Sequence, residues 1–149
     1  MKTAICLLCF IFPAAVSAQT ASLLGDFTHG YTEPPNESVW TVQNTSDMWT
    51  VYSHGGKETF KAKILNEAER KKFWEKMWWP IPTATQADCL TYDEALICHV
   101  PKKAKLKIDW IQKNKSNYFH YDSIGGVMEI SLKQKKTEVD AVKPSALKN

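Results

Sequence analysis

Asp122 and Glu129, with His120 close by, are the residues whose types and spacing come nearest to chemistry. If Gly125-Gly126 is the two-residue turn of a hairpin, which glycine favours because positive φ costs it nothing, Asp122 lies opposite Glu129 and His120 opposite Ser131. Two carboxylates facing each other across a strand pair resist joint ionisation, and an ammonium group or metal ion between them would relieve this. A solvated strand face with weak repulsion fits the same residues, and a catalytic acid pair is a third reading.

Other reactive types lack the company chemistry needs. His29, His54, His99 and His120 show neither H-x-H nor H-x₃-H spacing, and no Cys/His zinc pattern is present. No nucleophile elbow surrounds a serine, and both Gly-Gly pairs read as turns rather than phosphate loops. The expectation is a protein without enzymatic activity, metal or cofactor. Cys89 and Cys98 flank a symmetric β-prone segment turning at Asp93-Glu94, which sets them opposite each other. In an oxidising compartment they form a disulfide worth about 2.5–3 kcal/mol.

The six tryptophans offer contact surfaces. Trp40, Trp49 and Trp110 serve as core, or as the lining of a cavity for a flat or cationic ligand, with cation–π contacts of about 0.5–2 kcal/mol each. Trp78-Trp79-Pro80 reads as core, as a protein-contact anchor or as a membrane-surface contact. Lys102, Lys103, Lys105 and Lys107 form a basic strip that strand alternation explains as a solvated face. Nucleic-acid binding would need more arginine and interleaved aromatics.

The elements that must position these residues are mostly strands. A turn at Gly55-Gly56 sets Val51 opposite Phe60 and Trp49 opposite Ala62. A turn over residues 44–47 adds the preceding strand, with Val42 opposite Trp49 and Trp40 opposite Val51. Asn66 with Glu69 forms a capping box for a helix ending near Trp78, whose Phe73, Trp74, Met77 and Trp78 make one apolar stripe. Residues 103–110 alternate cleanly and read as a strand, with Ala104, Leu106, Ile108 and Trp110 on one side. In the last hairpin Phe119, Tyr121 and Ser123 face Leu132, Ile130 and Met128. The fold class is mainly β (α+β): an antiparallel meander of about eight strands, barrel or sandwich, with one amphipathic helix.

The ends complete the organisation. Lys2, the nine apolar residues 4–12 and Val16-Ser17-Ala18 have the anatomy of a signal peptide over residues 1–18, too short for a membrane span. Residues 19–133 read as a single β-rich domain, and the polar residues 134–149 as a loose tail. Secretion is expected, extracellular or, in a bacterium, periplasmic. Three N-x-S sequons, at Asn36, Asn44 and Asn114, favour a glycoprotein. The full chain has a net charge of +3, which calls for no polyanionic partner.

Within residues 38–52, Trp40, the Asn44-Thr45-Ser46 turn, Trp49 and Tyr52 resemble the first two strands of tick salivary lipocalins. That resemblance implies a secreted barrel that scavenges small amines such as histamine or serotonin, or lipid mediators. The chain departs from the family in having one disulfide, a mid-chain helix and short length. The alternative is a secreted or periplasmic inhibitor or immunity factor that binds a partner enzyme through Trp78 and Trp79.

Overall fold

A computed structural model describes residues 20–30 and 38–133. The expected signal peptide (1–18), the sequon at Asn36 and the expected tail (134–149) lie outside them. The described chain is a closed antiparallel barrel of eight strands, each hydrogen-bonded to its sequence neighbour, with the last pairing the first. The strands are β1 (Gly25–His29), β2 (Trp40–Thr45), β3 (Met48–Ser53), β4 (Glu58–Ile64), β5 (Asp88–Tyr92), β6 (Ala95–His99), β7 (Tyr118–Asp122) and β8 (Gly126–Leu132). Helix α1 (Glu67–Lys76) links β4 to β5, and the short α2 (Lys102–Lys105) lies between β6 and β7. Among the described residues no helix is long and apolar enough to cross a membrane.

Alternation sorts side chains into two cores. Inward-facing Phe27, Val42, Val51, Leu90, Ile97 and Ile130 fill the middle of the barrel. The second core lies outside it, where Phe73, Trp74 and Trp79 pack against Leu96, Cys98 and Phe119 on the outer face of β6 and β7. Asn66 caps α1: its side chain accepts from the Glu69 N–H and the Glu69 carboxylate accepts from the Asn66 N–H. Arg70 then donates to the carbonyls of Leu65 and Ala84, holding the helix to its flanking segments.

One end of the barrel is closed. The 3-10 turn Thr20–Leu23 drives fully buried Leu23 into it, and the Tyr118 hydroxyl donates to the Ser22 carbonyl at 2.9 Å. Gly25 follows at φ +132°, and a Cβ there would stand 2.8 Å from the Leu132 side chain, so a glycine is required.

Four expectations change. The β2–β3 register sets Val42 opposite Val51 and Trp40 opposite Ser53, two residues from the expected pairing; an even shift leaves every side chain on its expected face. The last hairpin shifts by three: Phe119 pairs with Glu129, His120 with Met128 and Asp122 with Gly126. The cause is Asp122, whose Oδ1 accepts from the Ile124 N–H at 2.9 Å and from the Gly125 N–H, fixing a three-residue loop. Residues 103–110 are not a strand; α2 and successive tight turns occupy them, and β1 supplies the eighth strand. Finally, Trp78 leaves the apolar stripe: its φ of 57° turns it out of the helix to 94% exposure, while Trp79 is buried.

Candidate functional site

The odd shift of the last hairpin dissolves the expected carboxylate pair and creates another arrangement. Glu129 stays on the outer face, as expected, where it accepts from the Ser116 N–H at 2.7 Å. His120 and Asp122 turn inward, at the end of the barrel opposite Leu23. There β1 ends with His29, β2 begins with Trp40, β4 contributes Phe60 and β5 ends with Tyr92. Together these side chains form an aromatic cluster above the packed middle layer, called the cup below.

Trp40 stacks on the His120 ring at 4.5 Å between centroids and 22° between planes, and His29 meets the same indole edge-on at 4.8 Å. The Tyr92 hydroxyl and His120 Nε2 share a hydrogen bond of 2.8 Å. The other imidazole nitrogen, Nδ1, is buried without a hydrogen-bond partner, and Asp122 Oδ2 stands 3.6 Å away, too far to serve as one. A buried polar atom left in this state is costly, so it marks a place where a ligand group or water gains by binding.

Electrostatics set the protonation states. Burial lowers His120 to a pKa of about 4, against the smaller raising effect of Asp122, so the imidazole is neutral at pH 7. Burial likewise raises the Tyr92 phenol, which stays protonated. Asp122 goes the other way: the Gly125 and Ile124 N–H groups hold it below the usual carboxylate range. In the tautomer where Tyr92 donates to Nε2, the imidazole proton sits on Nδ1 and the cup presents one donor beside one negative charge.

The other site residues scatter. Trp49 faces inward from β3 but pairs with Asn44, away from the cup. Trp110, expected in the interior, is 66% exposed outside the barrel, because its segment forms turns. Cys89 and Cys98 are bonded directly across β5 and β6, under α1. Asn44 lies exposed at the end of β2, and Asn114 is half-buried, its carbonyl accepting from the Lys105 ammonium. Sequence reasoning missed His29, Phe60 and Tyr92 as cup residues. Tyr92 carried a signal, sharing with Leu90 and Ile97 the face opposite the cysteines, whereas His29 stands in a strand with little periodicity. Among the described residues no cluster of three or more His, Cys, Asp or Glu could hold a metal ion. No family model, curated protein or solved structure matches the chain.

Proposed function

We propose that the protein is a secreted, non-enzymatic barrel that binds a small aromatic amine in the cup between Trp40, Tyr92, His120 and Asp122. The observation that carries this reading is the buried, unpartnered Nδ1 of His120 beside the ionised Asp122, inside a ring of aromatic side chains. An ammonium group fits the carboxylate, a flat ring fits the indole and phenyl faces, and a ligand acceptor fits the imidazole N–H. Eight strands enclose an interior that side chains fill or that holds one small ligand. Here the middle layer is filled, which favours a single-ring amine over a long-chain lipid mediator. The leader-like residues 1–18, the disulfide and the likeness of residues 38–52 to tick salivary lipocalins support the same reading.

Titration of histamine and serotonin, followed by tryptophan fluorescence and calorimetry, tests it. Saturable quenching is expected, weakened roughly tenfold or more by Trp40→Ala and by Asp122→Asn. Absence of any response to amines, with wild-type folding, would remove this reading.

A second reading rests on Trp78, an aromatic held in the left-handed region and almost fully exposed after α1. That conformation costs about 1 kcal/mol for a residue with a Cβ, and a protein partner gripping the indole would give it a use. Stoichiometric capture of an enzyme that Trp78→Ser abolishes would favour an inhibitor.

A further inference from the structure

We propose that residues 101–115 form a docking surface for an anionic lipid bilayer. This segment does not need all of its apolar side chains for its own folding. Ala104, Ile108 and Ile111 point inward and are almost completely buried, which satisfies the core. Leu106 and Trp110 are left outside, 56% and 66% exposed. In a strand both would have faced the interior; in successive helical turns they stand on the solvent side with the lysines.

The charge around them is one-sided. Residues 101–115 contain six lysines and one acid, a larger surplus than the net +3 of the entire chain. Lys102, Lys103 and Lys107 flank Leu106 and are exposed. The single acid, Asp109, already accepts from Gln112 Nε2 at 3.2 Å. The sixth lysine is structural: Lys105 is buried, and its ammonium donates to the carbonyls of Asn114 at 2.6 Å and Ser116 at 2.7 Å. Those bonds hold the segment in shape before any partner arrives, so docking orders little additional backbone.

Charge complementarity selects an anionic partner, and the apolar side chains select its kind. An indole and an isobutyl group gain by leaving water for an apolar phase, which a bilayer offers beneath its headgroups and a soluble polyanion does not. Tryptophan favours the depth at which headgroups meet acyl chains, with lysines reaching the anionic surface around it. Lysines acting as point charges also suit a fluid lipid surface better than fixed bidentate recognition, where arginine serves.

Vesicle flotation tests the proposal, with every variant carrying the same N terminus by mass spectrometry. The quantity read is binding to phosphatidylcholine–phosphatidylglycerol vesicles minus binding to phosphatidylcholine alone, which removes any contribution common to both. This difference is expected to be positive and to fall with added salt. It should drop roughly tenfold or more in Leu106→Ser/Trp110→Ser, and comparably in Lys102→Gln/Lys103→Gln/Lys107→Gln. All five side chains are exposed, and near-ultraviolet circular dichroism checks that the variants keep the fold. A difference of zero, or one that neither variant moves, overturns the proposal. Heparin or nucleic-acid binding as strong as vesicle binding, and indifferent to Leu106→Ser/Trp110→Ser, overturns it in favour of a soluble polyanion.

Discussion

The two walls of the barrel are built differently. In β5 and β6, supported by β7, both faces of the sheet find cover: Leu90 and Ile97 face the interior, while Cys89, Leu96 and Cys98 lie under α1 and Trp79. In β3 and β4 only one face does, because Thr50, Thr59, Lys61 and Lys63 point to solvent and inward-facing Trp49, Phe60 and Ala62 remain partly exposed. β4 also outruns its neighbour: only Ala62, Lys63 and Ile64 pair with β5, leaving residues 58–61 unpaired on that side, beside the cup. A strand buried on both sides resists opening, whereas one with a wet face opens at lower cost. Stability is therefore concentrated in the covered wall, and the cup spans the boundary between the two.

Substitutions that thin the covered wall should sharpen this contrast most. Trp74 is fully buried and its indole donates to Thr83 Oγ1 at 2.8 Å, so Trp74→Ala should cost about 3–5 kcal/mol in urea denaturation. A loss below about 1 kcal/mol would mean that the helix adds little to the wall. Removing the disulfide by Cys89→Ala/Cys98→Ala should cost about 2–3 kcal/mol by the same measurement.

His120 tests the boundary through pH. Its folded pKa, about 4, lies below its unfolded value near 6.5, so the unfolded chain binds the extra proton between those limits. The stability this gives at neutral pH should decline as pH falls from about 6.5 toward 4, by about 2–3 kcal/mol in all. Denaturation series across that range should show the decline in the wild type and a flatter profile in His120→Gln. Equal slopes in both would place the titration elsewhere. The smallest effect is expected on the bare wall: Phe60→Ala should cost about 1–2 kcal/mol because the ring is only partly buried. Tryptophan quenching by histamine should nonetheless weaken measurably in this variant if the cup is the amine site. A stability loss matching that of Trp74→Ala would erase the distinction between the walls.

Much of this architecture was legible in the residues. The hairpin closed by Gly55-Gly56 and the one bracketed by Cys89 and Cys98 announce their faces, and the capping box announces α1. Two local ambiguities defeated the rest. Residues 104, 106, 108 and 110 alternate, but 104, 108 and 111 also fit a helical stripe, and alanine, lysine and leucine prefer the helical option that formed. In the last hairpin Gly125-Gly126 competed with Asp122, and the carboxylate prevailed by accepting two backbone N–H groups. The cup depends on that outcome, so its residues could be counted from sequence but not assembled.

The position of the turn after Asp122 consequently decides which face of β7 meets the interior. A turn centred on Gly125-Gly126 instead would shift β7 against β8 by three residues, an odd step, exporting His120 and importing Phe119 and Tyr121. That end of the interior would then carry phenyl and phenol rings in place of an imidazole and a carboxylate. One carboxylate at a hairpin tip thereby settles whether that end of the interior is polar or apolar.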